Sequence, residues 1–205
     1  VIFVDLALAQ VAALGVSVAF LLGEEAHGAH AQLYAFVATI IVAFAFAGLR
    51  RVPGKTTREV IIGCVYVVAT ALTIVILSRS AQGMEELKSL FNGNILWVRW
   101  QEITVVAVAY GALAVMHTVY RQQFLALSFD SEEPGQPGFV WEFLFFATFA
   151  IVITLAVNVA GVLLVFAFLI IPAFSASILV ATLGKRLVTG WAIGVFGSTI
   201  GLWLS

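Results

Sequence analysis

A single carboxylate stands out near the start of the chain, within the apolar stretch FVDLALAQVAALG. Asp5 has only uncharged neighbours there, and Gln10 follows five residues later. An ionised carboxylate in hydrocarbon is costly unless it faces water or protein, so the position of Asp5 calls for a functional reason. Five residues advance a helix by about 140° beyond a full turn, so Asp5 and Gln10 do not share a face well, and they would have to line one cavity from two sides. We predict that both line a translocation path; the alternative is that Asp5 reaches water at the cytoplasmic end of its helix.

A second group of chemically capable side chains lies in the polar loop GEEAHGAHAQ. It contains Glu24, Glu25, His27 and His30. Histidines at i and i+3 with carboxylates nearby offer the nitrogen and oxygen ligands that zinc and manganese bind. The pattern predicts a metal site, and the alternative is a solvated loop that is merely rich in such residues.

No familiar catalytic constellation accompanies these groups. The sequence lacks the motif G-x-x-x-x-G-K-[ST], so we do not expect the chain itself to hydrolyse a nucleotide. The apolar segments between the histidines would place His27 and His30 on one side of a membrane and His117 on the other. This separation argues against Ser-His-Asp or Cys-His catalysis. A net charge of −1, with basic residues scattered between apolar segments, gives no reason to expect nucleic-acid binding. Cys64, the single cysteine, lies in an apolar run and is expected to pack.

Transmembrane helices must position these side chains. The 205 residues are 62% hydrophobic and 10% charged, against about 25% charged in soluble domains. About 20 apolar residues cross a bilayer core of about 30 Å, so we predict an all-α polytopic bundle of about seven spans, forming a single domain over residues 1–205. The chain begins without Met and stops inside an apolar segment, so we expect further residues at both ends. The predicted spans are Val1–Leu22, Leu33–Leu49, Val60–Leu77, Ile103–Val119, Phe139–Val157, Asn158–Leu183 and Val188–Ser205.

The apolar run from Phe139 to Leu183 is twice as long as one crossing requires, so the chain must turn within it. Asn158 and Gly161 are the predicted turning point. Further along, Pro172 lacks the N–H of an uninterrupted helix, and small residues such as Ser175 follow it. A helix broken at membrane depth is tolerated where it faces protein or a water-filled cavity. Pro172 and Ser175 are therefore predicted to line the translocation path, with a kinked helix that serves packing alone as the alternative.

The polar segments between the spans predict an orientation. MEELKSLFNGNILWV is typical of a short amphipathic helix that lies at the membrane surface. Loops 50–59, 120–138 and 184–187 hold seven Lys and Arg residues, whereas the alternate loops hold three. The positive-inside rule places the first set in the cytoplasm and places the GEEAHGAHAQ loop and the amphipathic helix outside.

Three motifs then occur in a specific order: TREVIIG from Thr57, EELKSLFNGNIL ending at Leu96, and VAGVLLV followed by PAFSA. They resemble the T-R-E-x-x-I-G, E-x-L-x-x-L-x-x-G-x-I-L and V-G-x-L-L-V…P-A-x-x-A segments of the membrane permease subunits of ABC importers for zinc, manganese or iron. FVDLALAQVAALG is similar to that family's D-A-L-S-H-A-A-L-P-G segment, which is thought to supply metal-coordinating Asp and His. The resemblance implies a type II importer permease fold and makes Asp5 a metal-ligand candidate.

The N-terminal segment departs from the family pattern. When Gly15 is aligned, Gln10 occupies the family's His position, Leu6 occupies its Asp position, and Asp5 lies one residue early. A gap restores Asp5 to the family's Asp, but no histidine lies near it.

The cytoplasmic loop also departs. The family's F-D-x-E-x-A…G segment, which is taken to dock on the ATP-binding subunit, appears as Phe129, Asp130, Ser131 and Glu132 followed by EPGQPG. The prolines and glycines are expected to shorten or abolish the docking helix. Phe129, Asp130 and Glu132 are the predicted docking residues.

The function that follows is import rather than catalysis. The resemblance implies a subunit of the cell membrane that works with a second copy, a pair of ATP-binding subunits and an extracytoplasmic substrate-binding protein. A divalent metal ion or metal chelate would be its cargo, with no cofactor bound by the chain itself. The alternatives are a secondary carrier or channel without an ATPase partner, and a sensor or assembly subunit that keeps the fold without transport.

Overall fold

The computed structural model describes residues 3–25, 28–49, 52–93, 95, 98–128 and 138–204. Across these ranges the chain forms helices and no strand. The helices are α1 (Val4–Leu21), α2 (Ala29–Gly48), α3 (Lys55–Leu77), α4 (Gly83–Asn92), α5 (Trp100–Val119), α6 (Arg121–Ser128), α7 (Phe139–Leu179) and α8 (Leu183–Leu204). Six of them, α1, α2, α3, α5, α7 and α8, are long and apolar enough to cross a membrane. The predicted all-α transmembrane bundle is confirmed.

Helix boundaries extend beyond the predicted apolar spans. α2 begins at Ala29 rather than Leu33, and α3 begins at Lys55 rather than Val60. Hydropathy marks the part of a helix that lies in lipid, whereas backbone hydrogen bonding continues into the polar interface. The 120–138 segment, predicted as a polar loop, contains the eight-residue helix α6 in its first part.

α1 lies at the centre of the bundle and contacts α2, α3 and α7. Many of its buried residues are small, namely Ala7, Ala9, Ala12, Ala13, Gly15 and Ala19. Small residues let transmembrane helices approach closely, which favours packing where lipid removes the hydrophobic advantage of burying large side chains. A Cβ added to Gly15 would lie only 2.6 Å from the Cα of Ala35 in α2. The helix that carries Asp5 and Gln10 is therefore enclosed by three others.

α7 is 41 residues long, and its backbone is broken at Gly161, where φ is 74° and ψ is 163°. Positive φ of this kind is accessible to glycine and strained for other residues. The break divides the helix into segments 139–160 and 162–179, each about as long as one crossing. It falls where the sequence predicts the turn, so six membrane-length helices, one of them double length, correspond to the seven predicted spans.

The two short helices lie at opposite ends of the bundle, because the membrane-length helix α5 runs between α4 and α6. We call these the α4 end and the α6 end. By the predicted orientation the α4 end faces outside and the α6 end faces the cytoplasm.

Candidate translocation path

Asp5 lies in the first turn of α1, toward the α6 end, and is half-buried. Its Oδ1 accepts a hydrogen bond of 2.9 Å from the backbone N–H of Leu6. The first N–H groups of a helix have no partner within the helix, and the helix dipole favours a carboxylate at that position. This local role agrees with the alternative in which Asp5 sits at a helix end, and a role in transport stays a prediction.

Gln10 is the most enclosed polar side chain among the predicted path residues. It is 1% exposed, and its Oε1 has no hydrogen-bond partner within the described part of the chain. An unsatisfied buried polar group costs about 1–3 kcal/mol. The amide oxygen would therefore be stabilised by a water molecule or a cation that reached the centre of the bundle. Asp5 and Gln10 are separated by about 7.5 Å along the axis of α1.

At the α4 end of the bundle, four helices leave little space between them. α1, α2, α4 and α7 enclose a cavity of about 20 Å³ there, which is room for about one water molecule. α4 covers this end as the amphipathic helix that the sequence predicts, with Leu90 buried and Leu87 and Phe91 half-buried. The cavity is lined by Ala12, Val16, Gln32, Ala35, Phe36, Ser89, Leu90, Gly93, Thr154, Leu155, Val157 and Asn158.

Backbone contact fastens α4 to α7. Gly93, which ends α4 with φ of 66°, lies against Ala160 and Gly161 at the break of α7. A Cβ on Gly161 would lie 2.7 Å from the carbonyl carbon of Asn92. Glycine on both sides is what allows the two backbones to meet at this distance.

The predicted metal loop is partly assembled. Glu24 Oε2 and His30 Nδ1 are 2.9 Å apart, with 42% of the Glu24 side chain and 70% of the His30 side chain exposed. Glu25 is exposed, and His27 lies outside the described residues. Within the described ranges no three His, Cys, Asp or Glu side chains are grouped as a metal site. The structure therefore brings two of the four predicted ligands together, and the metal site stays a prediction.

Glu24 also borders a larger opening at the same end of the molecule. This cavity has a volume of about 360 Å³ and lies between the end of α1 and the segment after α3. Its polar lining comes from Glu24, Arg79, Ser80 and Gln82.

The prediction that Pro172 breaks its helix is wrong. α7 continues through Pro172, and Gly161, eleven residues earlier, is its one residue with non-helical backbone angles. Transmembrane helices tolerate proline where neighbouring helices support the freed backbone groups. Here Pro172 packs against α8, where its Cγ is 3.8 Å from a Cβ built on Gly194. This contact favours the packing interpretation of Pro172; Ser175 is half-buried, and a path role for either stays a prediction.

Among the described residues, the pairs Thr39–Thr154 and Tyr110–Val152 form hydrogen bonds between helices at membrane depth that the sequence does not predict. Thr39 Oγ1 in α2 lies 3.0 Å from Thr154 Oγ1 in α7, and both residues are buried. The Tyr110 hydroxyl of α5 donates to the Val152 carbonyl of α7 at 2.9 Å. A hydroxyl side chain within an apolar run indicates that a hydrogen bond is needed there, but the sequence does not identify the residue that forms it.

An aromatic cluster lies at the α6 end, beside the segment predicted to dock on a partner. Phe129, Asp130 and Glu132 themselves lie outside the described residues. The cluster comprises His117 and Tyr120 from the end of α5, Phe124 from α6, and Trp141 and Phe145 from α7.

Comparison with known proteins identifies the family. The model of the ABC 3 transport family matches residues 1–205, the entire chain. The chain belongs to the ABC 3 transport family.

Proteins similar in sequence to this ABC 3 chain include the manganese transport system membrane protein MntC of Listeria monocytogenes. It is 27% identical over 93% of the chain and 67% of the relative. The probable iron transport system membrane protein of Haemophilus influenzae is 23% identical over 84% of the chain and 62% of the relative. The chain thus spans about two thirds of the length of these relatives.

The fold of this ABC 3 chain is also that of a solved structure, PsaBC from Streptococcus pneumoniae in complex with Fab. The TM-score is 0.70 at 21% identity, over 99% of this chain and 72% of that one. Family, fold and the six apolar helices together establish a multi-pass membrane protein of a transport family. The resemblance drawn from the sequence motifs is confirmed.

Proposed function

We propose that this chain is the membrane-spanning subunit of an ATP-driven importer that moves a divalent metal ion or metal chelate into the cell. The observation that carries the proposal is the family match over all 205 residues. The relatives named for manganese and iron transport give the class of cargo. The metal is substrate here, and it passes through without becoming a resident cofactor.

Energy would come from separate subunits. The sequence has no nucleotide-binding motif of the Walker type, so ATP hydrolysis is assigned to a pair of partner subunits that dock at the α6 end through residues 129–132. An extracytoplasmic binding protein would deliver the metal at the α4 end. The chain supplies the path and the docking segment.

Alternating access fits the way the α4 end is closed. The cavity between α1, α2, α4 and α7 has a volume of only about 20 Å³. A metal ion with its hydration shell needs more room than one water molecule occupies. We therefore assign this structure to a state closed between α1, α2, α4 and α7 at the α4 end, with Asp5 and Gln10 on the central helix below the closure.

A second copy of the chain would complete the path. α5 and α8 are apolar, yet no residue of their most hydropathic windows is buried within the protein. Such faces lie against lipid or another subunit. We propose that the importer contains two copies, with lipid around the remaining surface.

The test is metal uptake into proteoliposomes that contain the chain in its full-length protein with its ATP-binding partner. Mn²⁺, Zn²⁺ and Fe²⁺ are supplied in parallel, each with ATP inside and with a partner variant that cannot hydrolyse ATP as the matched control. We expect uptake of at least one metal that requires hydrolysis, and a large loss of uptake in Asp5→Ala.

Each alternative has its own outcome in the same assay. Uptake that is equal with the inactive partner would identify a secondary carrier or channel. Absence of uptake for all three metals, in a complex that still forms, would identify a sensor or assembly subunit. Unchanged uptake in Asp5→Ala would remove that residue from the path.

A further inference from the structure

Among the side chains of α6, Phe124 makes the buried contact with the rest of the protein. The helix has the sequence RQQFLALS, and Phe124, at 6% exposure, is the one buried side chain among residues 121–127. Its neighbours in the helix are exposed or half-buried. A short helix gains little from its own hydrogen bonds. Its position therefore depends on the N–H groups of Gln123 and Phe124, which donate to the Tyr120 carbonyl at the end of α5, and on what the Phe124 ring contacts.

Phe124 contacts both transmembrane helices that flank the docking segment. Its ring stacks on His117 of α5, with centroids 4.3 Å apart and planes 16° apart. The same ring meets Trp141 of α7 edge-on at 6.1 Å and Phe145 of α7 at 6.1 Å. One aromatic ring thus touches the end of α5 and the beginning of α7.

The socket that receives Phe124 is itself fixed. His117 Nδ1–H donates to the Leu113 carbonyl at 2.9 Å within α5, which holds the imidazole plane. The Tyr120 ring lies 5.2 Å from Trp141 and ties α5 to α7 beside the socket. Aromatic rings have few rotatable bonds and prefer stacked or edge-on geometry, so a displacement of α6 is not absorbed by side-chain rearrangement alone.

We propose that Phe124 is the joint through which movement of the cytoplasmic docking segment is transmitted to α5 and α7. α6 ends at Ser128, directly before the predicted docking residues. A partner that pulls or pushes on residues 129–132 moves α6, and the Phe124 ring carries that movement into both helices. The inference rests on the proposed function, because it presupposes an ATP-binding partner at this end; Phe124 is a positioning residue and not a docking residue.

The test separates docking, hydrolysis and transmission. In a Cys64→Ala background, Gln32→Cys at the closed cavity of the α4 end reports opening through its rate of maleimide labelling. The complex with its ATP-binding partner, in nanodiscs, is labelled with and without ATP plus vanadate. We expect the labelling rate of the parent to change by about fivefold or more, as typical coupling energies imply.

Phe124→Ala should abolish the change in labelling while copurification and ATP hydrolysis remain at the parental level. Phe124→Tyr, which keeps the ring, should restore the change. The matched control is Phe46→Ala, which removes an equally buried ring, 3% exposed and 6.2 Å from Phe146, from a contact between α2 and α7 that does not involve α6. This control should keep the change.

The inference fails if Phe124→Ala retains the ATP-dependent labelling change, or if Phe46→Ala loses it to the same extent. If the parent complex does not form or shows no response to ATP, the proposed function itself fails and the joint fails with it. Loss of copurification in Phe124→Ala alone would make Phe124 part of the docking surface and would contradict the role as a joint.

Discussion

The two ends of the bundle are held together by different kinds of contact. At the α4 end, backbone meets backbone: Gly93 lies against Gly161, and Gly83 lies against the Leu77 carbonyl. At the α6 end, rings meet rings: Phe44 contacts Phe139 and Phe143, Phe46 contacts Phe146, and Phe124 enters its socket. A glycine contact between two backbones has no side chain that can rearrange. A buried aromatic ring, in contrast, can be replaced by another apolar side chain of similar volume. The difference predicts that the α4 end tolerates far less substitution than the α6 end.

The largest effect is expected at the break of α7. Gly161→Ala should destabilise the protein by about 3 kcal/mol or more, because the backbone angles alone cost a residue with a Cβ about 1–3 kcal/mol and the methyl overlaps α4. The measurement is the unfolding midpoint in detergent, read by fluorescence-detected size exclusion. Gly197→Ala, where a Cβ meets nothing within 4 Å, is the control and should be neutral or slightly stabilising. Equal midpoints for the two variants would show that the backbone contact is not what holds the α4 end.

A smaller effect is expected for a ring at the α6 end. Phe46→Leu should cost less than about 1.5 kcal/mol, since a hydrophobic side chain of similar size refills the site. Phe46→Ala should cost more, because it leaves a cavity beside Phe146. The same unfolding measurement compares them with Gly161→Ala. A Phe46→Leu variant as unstable as Gly161→Ala would remove the distinction between the two ends.

The smallest effect is expected between the ends, where Thr39 meets Thr154. Thr39→Val should cost about 0.6 kcal/mol and at most about 1.7 kcal/mol, the range of hydrogen bonds between transmembrane helices. A double-mutant cycle with Thr154→Val isolates the pair from the bonds that Thr39 makes within its own helix. Thr70→Val, which removes a hydrogen bond to the Tyr66 carbonyl within α3, is the control. A coupling energy of zero in the cycle would show that the Thr39 and Thr154 hydroxyls do not stabilise each other.

The apolar spans and the turn near Gly161 are predictable from the sequence because both follow from local quantities. An apolar run of 45 residues exceeds one bilayer, and glycine marks where it can bend. The positions of Asp5 and Gln10 on the first helix follow in the same way.

Contacts between residues far apart in the chain cannot be predicted from apolar runs and glycine positions. The contact of Gly93 with Gly161 joins residues 68 positions apart, and no periodicity records it. α6 is not predictable from the sequence because its eight residues are too few, and too evenly divided between polar and apolar, to indicate a helix. The socket formed by α5 and α7 shows why Phe124 is buried. The sequence indicates a break at Pro172 as well as a turn near Gly161 because proline is a strong local helix breaker. Packing against α8 instead supports a helix through Pro172.

The near absence of charge along α7 has a consequence for how the protein enters its membrane. Between Phe139 and Leu179 the only charged residue is Glu142, near the start, so no polar loop marks the far side at Gly161. Translocation of a hydrophilic turn is therefore not needed. We expect segments 139–160 and 162–179 to partition into the bilayer together as a helical hairpin, retained by the charges of residues 185 and 186 that follow. The close approach of α4 to Gly161 would then be completed only after insertion, once both elements have reached their final depth.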